Sequence, residues 1–168
     1  MVKETPSYCD SKPGQDLIFV GDAGRGIRFF FSRAHRSTAA EFLAANKEIL
    51  ADFVMLLSEC GSIFKLPAQT LNVFHDESGT SIAFNTNGAI FCNLRYFIQL
   101  HSARFSEPEG RVEAMAYWWI TLCHELAHNL VNEHGQQHSF YTESFATNYF
   151  RGMVWWAGRQ QQQAIDVE

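Results

Sequence analysis

Clusters of apolar residues separated by turn-type segments predict strands in two parts of the chain. DLIFVG and GIRFFF, residues 16–21 and 26–31, have the composition of strands and are joined by a turn-type segment, which indicates a hairpin or two short strands. Three further β-rich runs are TLNVFH, TSIAF and AIFCNL, which lie between residues 70 and 94 and are separated by Gly-containing turns. These three runs are predicted to pair as a small antiparallel meander.

Longer stretches without helix-breaking residues predict four helices. The first is long and runs from Ser37 to Gly61, where Thr38 and Glu41 can form a capping box and Gly61 can end the helix. RYFIQLH is predicted as a short helix. RVEAMAYWWITLCHELAHNLV has no breaker and is apolar on most sides, which is typical of a buried central helix. A final helix is predicted to start near Ser139, which can serve as its N-cap.

These elements together predict an α+β fold in a single domain. The domain is expected to cover residues 17–158, with a flexible polar tail at residues 1–16 and a flexible Gln-rich tail at residues 159–168. A chain of 168 residues is long enough to bury a core without disulfide bonds. We therefore expect a long N-terminal helix, a small antiparallel sheet, a buried helix that carries the candidate site, and a C-terminal helix.

Composition narrows the classes of protein to which the chain can belong. Apolar residues make up 46% and charged residues 18%, which is typical of a globular protein. The net charge of −5 disfavours binding to nucleic acid or to an anionic membrane. No run of about 18 apolar residues occurs, and the N-terminus lacks the apolar segment of a secretory signal. The four widely spaced cysteines indicate reduced thiols, so we expect an intracellular protein, cytoplasmic or nuclear.

The segment HELAHNLVNEH, residues 124–134, contains the clearest candidate functional residues of the chain. His124 and His128 lie four residues apart, so a helix places both imidazoles on one face, within reach of one zinc ion. Glu125 lies beside them and can act as the general base that takes a proton from a zinc-bound water. The alternative is that the histidines form hydrogen bonds in a core and that Glu125 faces solvent.

A catalytic zinc ion usually has three protein ligands, and the residues offer three candidates for the third. His134 can reach the site if the chain leaves the helix near Val131 or Asn132, because ten residues of unbroken helix would separate it from His124 by about 15 Å. His138 lies a little further along. Glu143 can reach the level of His128 if the final helix folds back antiparallel. Spacing alone does not choose among the three.

The same segment resembles a known family of enzymes. HELAHNLVNEH matches the pattern HExxHxxxxxH of zincin metallopeptidases and looks especially like the WLM and SprT-like intracellular proteases. This resemblance implies that His124, His128 and His134 bind zinc and that Glu125 is the general base. YTESFATNYF also resembles the glutamate helix of gluzincins, which would favour Glu143. In zincins an edge strand lies above the active-site helix, and AIFCNL is the run best placed to supply it.

The resemblance leads to two hypotheses about function. The first is a zincin-like zinc metallopeptidase that hydrolyses peptide bonds in a peptide or protein substrate, without a nucleic-acid or membrane partner. The second is a zinc-stabilised interaction module that has no catalytic activity, in which four ligands close the coordination sphere. The last half of the chain is also similar to the C-terminal region of large fungal proteins with a GHKL-type ATPase region, which implies that the chain is a module of a larger protein.

Overall fold

The computed structural model describes residues 16–165, which form a mixed α+β fold. The predicted α+β class is confirmed. The strands are β1 Leu17–Gly24, β2 Ile27–Ser32, β3 Leu71–His75, β4 Ala83–Thr86 and β5 Ala89–Asn93. The helices are α1 Ala39–Ala45, α2 Lys47–Phe64, α3 Leu94–Leu100, α4 Pro108–Ala127 and α5 Gln136–Ile165, with short 3₁₀ turns at Arg33–Thr38 and Ser102–Arg104. The predicted flexible tail at residues 1–16 lies outside the described residues except for Asp16.

The strands form one mixed sheet in the order β1-β2-β3-β5-β4. β1 pairs with β2 and β4 with β5 in antiparallel fashion, which confirms the predicted hairpin, whereas β3 is parallel to both β2 and β5. The prediction of an antiparallel sheet is therefore wrong for β3. Between β2 and β3 the reason is the connection through α1 and α2, because a helical crossover returns the chain to the sheet in a parallel direction. β5 is parallel to β3 because the chain reverses at β4, which lies outside β5 and not between the two strands. All five residues of β3 are buried, as expected for a strand covered on both faces.

The predicted long helix is divided into α1 and α2 at Asn46. The Asn46 side-chain amide donates a hydrogen bond to the Phe42 carbonyl oxygen at 2.9 Å, and its backbone angles are not helical. The predicted capping box does not form, since the Thr38 hydroxyl donates instead to the His35 carbonyl oxygen. The helix also continues past Gly61 and ends at Lys65, which adopts the left-handed conformation with φ of 58°.

The central helix α4 is buried as predicted. Its residue Trp118 is fully buried, and the indole lies against the ring of Phe53 with centroids 4.6 Å apart. Phe53 in turn stacks on Phe97 of α3, with ring centroids 4.7 Å apart. These rings join α2, α3 and α4 in one hydrophobic core beneath the sheet. The end of α4 is thereby held in a fixed position.

The C-terminal helix α5 is longer than predicted. It begins at Gln136, three residues before Ser139, and continues to Ile165 through most of the segment predicted as a flexible tail. Gln and Ala have high helix propensities, which explains why this segment extends the helix. Trp156 anchors this part of α5, because its side chain is buried and its indole N–H donates to the Glu59 carboxylate.

Among the residues that the structure describes, three cysteines are free thiols and all are buried: Cys60, Cys92 and Cys123. Burial raises the pKa of Cys123 to about 12 and also raises the pKa of Cys92 well above its ordinary value. These two thiols are therefore protonated at neutral pH and act as apolar core residues. Within the described part of the chain, no helix has the length and apolar character needed to cross a membrane.

Candidate metal centre

The last turns of α4 place three residues of the HELAH segment at one end of the core. His124 is half-buried, Glu125 is fully buried, and His128 is the C-cap of the helix. The rings of His124 and His128 have their centroids 5.0 Å apart, as the spacing of four residues predicts. The helix has ended by His128, and a tight turn follows, in which the Leu130 backbone N–H donates to the Ala127 carbonyl oxygen at 2.9 Å.

This early end of α4 brings His134 back to the helix. The Nε2 atom of His134 lies 3.1 Å from Nε2 of His124, and its ring centroid is 4.7 Å from that of His128. His134 itself lies on the exposed loop between α4 and α5. The sequence predicts an exit from the helix near Val131 or Asn132, and the exit lies a few residues earlier.

His138 joins the same group from the first turn of α5. Its ring centroid is 4.4 Å from that of His124 and 4.3 Å from that of His128, and its side chain is only 4% exposed. One ring nitrogen from each of the four histidines lies within 4.8 Å of the others. These residues, His124, His128, His134 and His138, are called the histidine cluster below.

The histidine cluster fits a transition-metal ion. Bonds of 2.0 to 2.1 Å at tetrahedral angles place two imidazole nitrogens about 3.3 Å apart, close to the 3.1 Å between His124 and His134. Burial, followed by the charges of His128 and His134, lowers the pKa of His138, which favours the neutral form that binds metals. Its buried Nε2 atom also has no hydrogen-bond partner within residues 16–165, and a cation would satisfy it.

Glu143 lies apart from the histidine cluster. Its side chain is exposed on α5, and the close group of candidate ligands within the described residues consists of the four histidines alone. Because α5 starts at Gln136, His138 is the residue that faces α4. Glu143 follows it by five positions, which turns its side chain by roughly 140° around the helix axis. Of the three candidates for an additional ligand, the structure thus brings together His134 and His138 with the first two histidines.

A polar cleft of about 440 Å³ opens beside the histidine cluster. It is lined by Asn85, Asn87, Gly88, Glu125, His128, Asn129 and Asn132. The cleft lies between the β4–β5 turn and the end of α4, and both Glu125 and His128 belong to its wall. A small polar molecule or an extended chain segment can therefore approach the cluster from the side of β4.

Asn85 on β4 fixes one wall of this cleft to the other. Its side-chain amide donates to the Glu125 carbonyl oxygen and to the Asn129 side-chain oxygen, both at 2.8 Å. Its own oxygen accepts a hydrogen bond from the Gly88 backbone N–H at 3.1 Å. Asn85 is not predicted as a site residue, because an Asn beside an Asn-Gly turn has the pattern of a turn residue and gives no sign of a long-range contact.

The strand at the edge of the sheet beside the cleft is β4. The prediction that AIFCNL supplies the edge strand is wrong, since that run forms β5, which lies between β3 and β4. β5 occupies the inner position because it pairs in parallel with β3, leaving the short hairpin partner β4 outside.

Comparison with known proteins adds no further identification. Neither a protein-family model, nor a curated protein sequence, nor a solved structure matches this chain.

Proposed function

We propose that the protein is a zinc-dependent metallopeptidase with a zincin-like fold. The observation that carries the proposal is the position of the buried Glu125, which lies next to the histidine cluster and in the wall of the cleft. His124, His128 and His134 would hold the ion, as the resemblance to the zincin pattern implies. Bound there, zinc would supply a Lewis acid that polarises a peptide carbonyl and lowers the pKa of water.

Glu125 is the residue suited to move the proton. It follows His124 directly in α4, and its backbone carbonyl is held by Asn85, so the helical turn that presents its side chain has a fixed position. A general base has to lie within hydrogen-bond reach of the proton that it removes. We assign this role to the carboxylate of Glu125, which would later return the proton to the leaving amine.

The edge strand β4 supports a peptide as the substrate class. β4 is the terminal strand of the sheet, and its residue Asn85 lines the cleft that contains Glu125. An extended peptide can add to the outer edge of such a strand through main-chain hydrogen bonds, which bind the backbone without requiring one particular sequence. The amide side chains of Asn87 and Asn132 are available in the same cleft to bind peptide groups.

A second candidate function is a zinc-stabilised interaction module without catalytic activity. The observation that favours it is the presence of four histidines in the cluster, because a metal ion bound by four protein ligands has no coordination position for a substrate. The two candidates differ in the role of Glu125, which is required for hydrolysis and has no part in a closed metal site.

The test begins with metal content, measured by elemental mass spectrometry on the wild type and three variants. We expect about one zinc per chain in the wild type and in Glu125→Gln, and loss of zinc in the double variant His124→Ala/His128→Ala, which leaves only two histidines of the cluster. His35→Ala is the matched control, since His35 lies on the 3₁₀ turn after β2 and should keep the zinc.

Activity is then measured with a library of fluorogenic peptides and with unfolded casein. Cleavage by the zinc-loaded wild type should stop on chelation, return with added zinc, and fall by at least about 100-fold in Glu125→Gln, because proton transfer by a positioned base typically contributes 10² to 10⁴-fold. Equal cleavage by wild type and Glu125→Gln would reject the assigned base. A zinc-loaded protein without activity would favour the interaction module.

A further inference from the structure

We propose that His138 is an exchangeable fourth ligand, which closes the metal centre at rest and leaves it when substrate binds. This inference rests on the proposed function, since it concerns the same metal ion. It assigns to the first turn of α5 a regulatory role that a centre with three histidines does not contain.

The position of His138 supports a role as a ligand. Among the four rings, its centroid is the nearest to those of both His124 and His128, at 4.4 and 4.3 Å. His138 is only 4% exposed, and its Nε2 atom has no hydrogen-bond partner within the described residues. One ring nitrogen of His138 lies within 4.8 Å of a ring nitrogen of each of the other three histidines, and an ion shared by all four would bind it.

The cleft supports exchange rather than permanent closure. A permanent site of four nitrogens explains His138 but gives no role to the cleft that reaches Glu125 and His128. A permanent site of three nitrogens explains the cleft but not the burial of His138 beside the other rings. Both observations are explained if His138 binds the ion at rest and gives up its position to an incoming ligand.

The chain around His138 allows such a movement. His138 is the third residue of α5. The segment 129–137 that precedes it is largely exposed, and apart from Gln136 and Gln137, the first two residues of α5, it contains no strand or α-helix. The Ser139 backbone N–H donates to the Gly135 carbonyl oxygen at 3.0 Å, within the first turn of the helix. Rotation of the His138 side chain or loss of this one turn would free the coordination position without changing the core.

The test uses the cobalt-substituted protein and acetohydroxamate, a small chelator that binds a metal ion through two oxygens. Visible absorption of Co²⁺ reports both the loading of the site and the binding of the chelator. We compare wild type, His138→Ala and Gln137→Ala, the last being a control on the exposed neighbouring position in the same turn. The wild type and the control should bind acetohydroxamate at least about 10-fold more weakly than His138→Ala, because only the fraction of protein with His138 detached is competent to bind.

Three results would overturn the inference, and they differ in what they mean for the proposed function. Equal affinity of wild type and His138→Ala would show that His138 is not a ligand and would leave the metallopeptidase intact. Binding by His138→Ala but not by wild type would show permanent closure, which also argues against catalysis. Failure of the wild type to bind cobalt or zinc would remove both proposals.

A measurement on the wild type alone covers the case in which His138→Ala does not fold. With ¹¹³Cd bound, scalar coupling between the metal and ¹⁵N-labelled imidazoles identifies the ligands. Coupling to His138 should be present at rest and should disappear at saturating acetohydroxamate, whereas coupling to His124, His128 and His134 persists. Absence of the His138 coupling at rest, or its persistence with the chelator bound, would refute the exchange.

Discussion

Three of the seven histidines lie outside the histidine cluster, and His75 shows how different their surroundings are. His75 ends β3 and is 4% exposed, with its ring centroid 4.0 Å from that of Phe42 and 5.3 Å from that of Phe31. Burial among these rings lowers the pKa of His75 to about 4, although the Glu77 carboxylate opposes the shift. His75 is therefore a neutral member of the core at physiological pH.

This burial makes the stability of the protein depend on pH. Above about pH 6.5, His75 is neutral in both the folded and the unfolded chain. Below that pH His75 binds a proton in the unfolded chain but stays neutral in the folded chain. The free energy of unfolding therefore falls until about pH 4. We expect the loss between pH 7.5 and pH 5 to be about 2 kcal/mol larger in the wild type than in His75→Phe, which keeps the aromatic contacts but does not titrate.

Urea unfolding of the metal-free proteins at the two pH values measures this difference. Leu100→Phe is the control, because Leu100 is exposed and is not among the groups that shift the pKa of His75, and it should keep the pH dependence of the wild type. If His75→Phe and wild type lose the same free energy on acidification, the acid sensitivity does not come from His75.

At the scale of elements, the sequence predicted the features that depend on neighbouring residues and missed those that depend on distant ones. The β1–β2 hairpin, α3 and the buried helix α4 follow from local composition and are present. The direction of β3 relative to β2 depends on the crossover through α2, and α2 ends with Lys65 in the left-handed conformation and not at Gly61. Neither feature can be predicted from a run of adjacent residues.

In the candidate site, too, neighbouring residues predict one feature and distant contacts determine the others. The spacing of four residues between His124 and His128 identifies one helical face, and the structure has both rings there. The approach of His134 requires the turn after His128, and the approach of His138 requires the start and rotation of α5, which the sequence placed three residues too late. Asn85 lies 40 residues from Glu125 in the chain, so only the folded sheet reveals their contact.

Two glycines in helices provide a test of the packing between elements. Gly110 lies in the first turn of α4, where an added Cβ atom would overlap the backbone carbonyl of Arg104, whereas Gly158 in α5 has open space around it. Alanine is the better helix former by roughly 1 kcal/mol. We therefore expect Gly158→Ala to raise the free energy of unfolding by about 0.5 to 1 kcal/mol. Gly110→Ala should lower it by about 1 to 3 kcal/mol through overpacking.

Chemical denaturation of the two variants beside the wild type measures both changes. The pair is matched, since each replaces a helical glycine by the same residue and differs only in what the new methyl group meets. An increase in stability in both variants would mean that the contact between α4 and the turn at Ser102–Arg104 is looser than the structure describes.

At the scale of the whole molecule, the hydrophobic core and the histidine cluster are separate sources of stability. The core is centred on the contacting rings of Phe53, Phe97 and Trp118, and Trp118 precedes His124 by about two helical turns. The helices and the sheet already bury these rings, so the fold does not need the ion to form its core. The metal-free chain is therefore expected to fold cooperatively.

A metal ion that binds only the folded chain raises its stability by mass action. At a free zinc concentration 100 times the dissociation constant, the gain is about 2.7 kcal/mol. For a domain of this length, such a gain raises the midpoint of thermal unfolding by roughly 5 to 10 °C. Circular dichroism melts with zinc and with EDTA measure the shift, which the double variant His124→Ala/His128→Ala should abolish and His35→Ala should retain. If EDTA instead removes the cooperative transition, the chain needs the ion to fold, and the main role of the histidine cluster is structural.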